Sequence, residues 1–175
     1  KPIPYLPMPA EDNPFLGVRA LRLAWDRPEI FVTQLRACYR AAVAGPVKVM
    51  APMVADGGDA SLLLELAARA RDGLAADGVA MGDVDLGVML EIPSAILSAD
   101  SWFGDVRFAS LGTNDLTQYA LAVDRGNPAL ERYRDAMHPA VLRLIAMSAE
   151  SAARAGISLS VCGEMGGDPA AALAL

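Results

Sequence analysis

Asp85-Leu86-Gly87-Val88-Met89-Leu90-Glu91-Ile92-Pro93 is an apolar run that ends on a carboxylate and then on a proline. Asp85–Leu90 has the length and bounded character of a short strand, and proline is at home in the first turn of a helix, so the stretch reads as strand, turn and helix start over Pro93–Ser98. The same order recurs downstream. Arg107–Leu111 reads as a strand followed by Asn114-Asp115 and a helical turn or two over Leu116–Ala122. Leu159-Ser160-Val161-Cys162 reads as a strand followed by Gly163-Glu164, a Gly-Gly loop and another helix from Pro169. Upstream, the apolar run Val47-Lys48-Val49-Met50-Ala51 precedes Gly57-Gly58 and a helix from Asp59 to about Ala76. Alternation of strand and helix predicts an α/β fold with parallel strands. A doubly wound sheet and a (β/α)₈ barrel both satisfy it. The polar residues favour the barrel: Glu91, Asn114-Asp115 and Cys162-Gly163-Glu164 each follow a strand end, where a barrel gathers its functional loops. Four strands are too few to close one, so the predicted fold is an incomplete (β/α)₈ TIM barrel.

The remaining segments fit between these units. Lys1–Pro14 is proline-rich and reads as irregular; Asn13-Pro14-Phe15-Leu16-Gly17 is a turn leading into Val18–Trp25; Pro28–Ala42 is a helix stopped by Gly45-Pro46. In the helix from Asp59, Leu62, Leu63, Leu66, Ala67, Ala70 and Leu74 form the apolar stripe, and Glu65 faces Arg69 at helical spacing. Over Pro139–Gly156 the predicted stripe is Val141, Leu142, Ile145, Ala149 and Ala152, and Gly156 stops the helix.

Composition narrows the functional classes. The chain is 54% apolar and 21% charged, ample for a buried core. Its apolar runs fall well short of the ~18 residues a membrane span requires. A net charge of −6 without a Lys/Arg cluster argues against nucleic acid as a partner. Cys38 and Cys162 lie far apart with no CxxC spacing, which points away from zinc and disulfides and towards a reducing, cytoplasmic setting. The start at Lys1 and the end at Leu175 within an Ala/Leu run read as cuts through a longer protein.

Two strand-end carboxylates stand out. Neighbouring parallel strands lie ~4.8 Å apart, so Glu91 and Asp115 can share a cation, and an all-oxygen set suits Mg²⁺. The competing reading is that each caps the helix that follows it. Arg19 and Arg125 suit bidentate capture of a phosphorylated acid, against the alternative of a surface arginine paired with a neighbour such as Asp124. Cys162 can exchange a proton from a strand end, or it is a small buried hydrophobe, the reading that also applies to Cys38. His138, the one histidine, precedes a long helix and reads as a capping or structural residue.

Four stretches together resemble the phosphoenolpyruvate-utilising family, most closely its Enzyme I group. They are Asn13–Arg22, with its arginine; Met89-Leu90-Glu91-Ile92-Pro93; the long run Leu111–Asn127, through Thr113-Asn114-Asp115 to Asp124-Arg125-Gly126-Asn127; and Cys162-Gly163-Glu164-Met165-Gly166-Gly167-Asp168. The resemblance covers essentially all 175 residues and implies one partial phosphoenolpyruvate-binding barrel domain over 1–175, with the first strands and the last strand outside it. It implies Mg²⁺ on Glu91 and Asp115, phosphoenolpyruvate against Arg19, Asn114, Asp115 and Arg125, and Cys162 as the proton donor that makes pyruvate. In the family a histidine on a separate domain accepts the phosphoryl group and passes it to a histidine phosphocarrier protein for sugar uptake, and the parent dimerises through this domain. That histidine domain and two upstream arginines are absent here, so the expectation is an inactive piece of an active cytoplasmic enzyme. The alternatives are a pyruvate phosphate dikinase or phosphoenolpyruvate synthase fragment and a non-catalytic binding or regulatory module.

Overall fold

The computed structural model describes residues 9–173, so the readings on residues 1–8 and on the end of the Ala/Leu run lie outside the described residues. Four strands, β1 (Val47–Ala51), β2 (Val84–Leu90), β3 (Phe108–Gly112) and β4 (Ser158–Cys162), form one sheet in the order β1-β2-β3-β4. Every pairing is parallel and joins strands adjacent in sequence, with Ala51 opposite Val88, Leu90 opposite Leu111 and Gly112 opposite Cys162. The two inner strands are buried at successive positions, Leu86–Val88 on β2 and Ala109–Gly112 on β3, as strands covered on both faces are. The edge strands β1 and β4 are only half-buried.

α1 (Pro28–Ala41) precedes β1, and four α-helices fill the crossovers: α2 (Gly57–Ala76), α3 (Pro93–Leu97), α4 (Thr113–Leu121) and α5 (Pro139–Ala155). Their boundaries have local causes. Asp56 caps α2 by accepting from the Gly58 and Asp59 amides at 2.8 and 3.2 Å. Proline opens α1, α3 and α5, and Gly156, at φ 69°, closes α5 in the left-handed region. α1 packs on α2, while α5 packs on α3, α4 and β4. The core joins Leu63, Leu66 and Leu74 of α2 to Val88 and Leu90 of β2, Leu111 of β3, and Phe103 and Ile96 beyond β2.

Several sequence readings are corrected. Val18–Trp25 forms a 3₁₀ helix over Ala20–Trp25, and of the helix expected from Pro169 the described residues form a 3₁₀ turn at Ala171–Leu173. On α5 Ala149 is exposed and the buried face passes instead through Ser148. Burial of that hydroxyl is tolerated because it donates to the Leu144 carbonyl at 2.8 Å. Glu65 and Arg69 form no ion pair within contact distance, as is common for exposed long side chains. Cys38 is half-buried on α1 rather than enclosed. No described helix is long and apolar enough to cross a membrane.

Candidate active site

Because Leu90 pairs with Leu111 and Gly112 with Cys162, the C-terminal ends of β2, β3 and β4 stand side by side. The residues that follow them meet at one end of the sheet. Glu91 is buried, 3% exposed, and caps nothing: the residue before α3 is Ile92, which offers no side-chain bond. Its Oε1 accepts from the Met53 amide at 2.7 Å. Met53 reaches it from a turn with φ 60°, a conformation a residue with a side chain rarely takes. Glu91 Oε2 lies over Gly112, where a Cβ would stand 2.7 Å from it, so only glycine leaves the carboxylate room. Burial, reinforced by the nearby Asp115 charge, pushes the Glu91 carboxyl up to about 7, against the lowering effect of the Met53 amide and of Arg19 and Arg125.

Asp115 lies in the first turn of α4 with its side chain 12% exposed, and it too caps nothing. Each of its oxygens meets a different arginine. Arg19 Nη1 is 3.4 Å from Oδ1, and Arg125 Nη1 is 3.2 Å from Oδ2. Arg125 is therefore not paired with Asp124, whose carboxylate accepts from the Gly126 amide at 2.7 Å. α4 ends at Ala122 in the left-handed conformation, φ 54°, and Gln118 secures the turn that follows. The Gln118 carbonyl accepts from the Val123 amide at 3.0 Å, and its side-chain Oε1 accepts from the Arg125 amide at 2.9 Å.

Tyr119, one helical turn beyond Asp115, presents its hydroxyl on the same face of α4. That hydroxyl accepts from Arg19 Nη1 at 3.3 Å and donates to the Phe15 carbonyl. The guanidinium carbons of Arg19 and Arg125 lie 5.3 and 5.2 Å from the centre of the Phe15 ring.

Cys162 is half-buried at the end of β4, its thiol donating to the Leu111 carbonyl at 3.1 Å. Its own carbonyl accepts from the Thr113 hydroxyl at 3.1 Å. Gly163 follows at φ 99°, with Thr113 Oγ1 only 2.6 Å from where a Cβ would be. The thiol contacts neither arginine nor either carboxylate directly, and Asn114 makes no side-chain hydrogen bond among the described residues. A cavity of about 520 Å³ opens beside this group, lined by Asn114, Thr117, Arg125, Arg134, Glu164 and Asp168. The Thr117 hydroxyl is buried there with no partner among the described residues. His138 caps α5, its Nδ1 accepting from the Ala140 amide at 3.1 Å.

Glu91, Asp115, Arg19 and Arg125 thus form one constellation, with Cys162 one strand away. Tyr119, Phe15, Met53 and Gln118 join them without having been singled out. Tyr119 was findable from its helical spacing to Asp115, whereas nothing local marks Met53. As a metal site the pair of carboxylates fits Mg²⁺, which takes one or two protein carboxylates, waters and a substrate phosphate. No larger group of acidic, histidine or cysteine side chains suited to a metal occurs among the described residues.

The family described as PEP-utilising enzyme, PEP-binding domain (PEP being phosphoenolpyruvate) matches residues 1–175. The chain is 46% identical over 175 residues to a multiphosphoryl transfer protein of Rhodobacter capsulatus, covering 100% of this chain and 21% of that one. It is 43% identical over 169 residues to the phosphoenolpyruvate-protein phosphotransferase of Bacillus subtilis, covering 96% of this chain and 30% of that one. The chain therefore spans less than a third of these relatives. Among solved structures, an HpcH/Hpal aldolase/citrate lyase family protein from Burkholderia cenocepacia superposes with a TM-score of 0.53 at 18% identity, over 77% of this chain and 56% of that one. That likeness supports the reading of the four β/α units as part of a TIM-type barrel.

Proposed function

Since the chain belongs to the family of PEP-binding domains of PEP-utilising enzymes, we propose that it binds phosphoenolpyruvate for a phosphotransferase that delivers the phosphoryl group to a protein histidine. The observation that carries this reading is the placing of Arg19 and Arg125 on the two oxygens of Asp115, beside buried Glu91 at the next strand end. Two guanidiniums converging on one anionic centre are suited to a phosphate and a carboxylate on a single small molecule. Glu91 and Asp115 would hold Mg²⁺, whose charge, when bound, offsets that of the phosphoryl oxygens. Arg125 and Arg19 orient the phosphoryl group, the Asn114-Asp115 segment at the start of α4 contributes to its binding, and Asn114 lines the cavity together with Arg125.

Loss of the phosphoryl group leaves the enolate of pyruvate. Cys162 gives the methylene carbon its proton, leaving a thiolate that regains a proton from solvent. The thiol's bond to the Leu111 carbonyl holds it oriented until it turns to the substrate. The receiving histidine, on another domain, and a histidine phosphocarrier protein beyond it are the partners this reading requires, in a cytoplasmic, homodimeric parent serving sugar uptake. The name of the Bacillus subtilis relative supports a protein acceptor over a dikinase or synthase reaction. The test is phosphorylation of the full-length protein by labelled phosphoenolpyruvate and Mg²⁺. Arg125→Ala and Asp115→Ala should each abolish labelling, and unchanged labelling in both overturns the reading.

A further inference from the structure

The two arginines come from segments far apart in sequence, the turn before the 3₁₀ helix and the loop after α4, and neither guanidinium is held by a second carboxylate. One side chain touches both. The Phe15 ring has Arg19 at 5.3 Å and Arg125 at 5.2 Å from its centre, within the range in which an aromatic quadrupole attracts a cation. The ring also packs on the loop carrying Arg125, with Phe15 Cε2 3.7 Å from where a Gly126 Cβ would lie. The Phe15 backbone is fixed independently, since its carbonyl accepts from the Tyr119 hydroxyl one helical turn beyond Asp115. Burial holds that hydroxyl above its usual range, so it remains a donor across the neutral region.

Two like charges brought to one place repel, and Asp115 can offset only one of them. An aromatic face is a source of negative potential that does not compete for the donors: it attracts each guanidinium through its flat face and leaves the N–H edges free. A second carboxylate here would instead occupy N–H groups that Asp115 leaves open. We propose that Phe15 is a positioning residue that holds Arg19 and Arg125 as a preset pair, leaving the N–H groups that Asp115 and Tyr119 do not take for the anionic groups of the substrate. This rests on the assignment of phosphoenolpyruvate as that substrate. A phenyl ring offers no proton and no nucleophile, so its contribution is to affinity and not to the chemical step.

The test is steady-state phosphorylation by phosphoenolpyruvate in the full-length protein carrying this chain, comparing Phe15→Leu, Phe15→Met and Phe15→Tyr below each variant's unfolding transition. Leucine and methionine fill the space without a ring, and tyrosine keeps the ring. The expected result is a KM raised about 5- to 30-fold in the leucine and methionine variants, the sum of two modest cation–π contacts. Their kcat should stay within about twofold of the parent, and Phe15→Tyr should restore the parent KM. An unchanged KM in both aliphatic variants, or a tyrosine variant as impaired as they are, overturns the proposal. Arg125→Ala separates this from the wider reading. If it loses phosphoenolpyruvate while Phe15→Leu does not, only the role of Phe15 falls. If it leaves KM unchanged, the substrate assignment falls and the role of Phe15 with it.

Discussion

Replacing Glu91 by glutamine should remove a pH dependence that the wild-type chain carries in its stability. The carboxyl has its pKa raised from 4.5 to about 7, chiefly by burial, so the folded state holds a proton that the unfolded state releases at lower pH. The sign follows from which state binds more protons. Below the unfolded value both states are protonated and the contribution is complete. Between 4.5 and about 7 only the folded state is protonated, and stability declines as pH rises, by about 1.4 kcal/mol per pH unit. Above about 7 the loss is complete and amounts to on the order of 3 kcal/mol. Glu91→Gln keeps the shape and carries no charge, so it should flatten that part of the profile and exceed the parent in stability at about pH 8. Mg²⁺ added at high pH should stabilise the parent and not the variant, because the cation favours the deprotonated carboxylate. Urea unfolding followed by circular dichroism across the pH range measures all of this. A variant with the same slope as the parent would show that another group carries the proton, and a flat parent profile would refute the account of Glu91 outright.

Replacing Cys162 by alanine in the full-length protein should slow pyruvate formation by ~10²–10⁴-fold while histidine phosphorylation continues; deuterium incorporation into pyruvate beside the phosphorylation rate separates the steps, and equal rates would return Cys162 to a packing role. Gly163→Ala forces a side chain onto a φ of 99° and into the Thr113 hydroxyl, which should cost about 1–3 kcal/mol in denaturant unfolding; a neutral substitution would mean that this loop relaxes freely. Gln118→Met strips the half-buried Arg125 amide of its acceptor and should cost about 1 kcal/mol, with KM for phosphoenolpyruvate raised. Gln118→Glu, which can still accept, should recover the KM, and equal KM values in the two would remove Gln118 from the positioning of Arg125.

The strands were legible because each is a short apolar run ended by glycine, proline or a carboxylate, and the observed strand limits differ from those readings by a residue or so. Helices were legible where a stripe of leucine and alanine recurs, as on α2. The exception on α5 is physical: the buried face accepts Ser148 because its hydroxyl is satisfied by the helix itself, a pairing that hydropathy does not register. At the site, the chain shows that Glu91 and Asp115 end neighbouring strands, but not that Asp115 is already claimed by both arginines. Those contacts depend on where the loop after α4 turns, which is set by the left-handed Ala122 and the buried Gln118 side chain. Neither residue type advertises that role. Tyr119 and Phe15 were present in the quoted motifs, yet their meeting across 104 positions follows only from the assembled sheet.

The order β1-β2-β3-β4 has a kinetic meaning. Each strand pairs with its immediate predecessor, so every loop closed in building the sheet is one crossover long, and closure entropy grows only slowly with each addition. Such a chain can assemble progressively, unit by unit, as it leaves the ribosome. The contacts of the site do not follow that schedule. Arg19 must wait for Asp115 and Tyr119, 96 and 100 positions later, for its hydrogen-bonding partners. A surface of this construction comes into being only after most of the described polypeptide is in place.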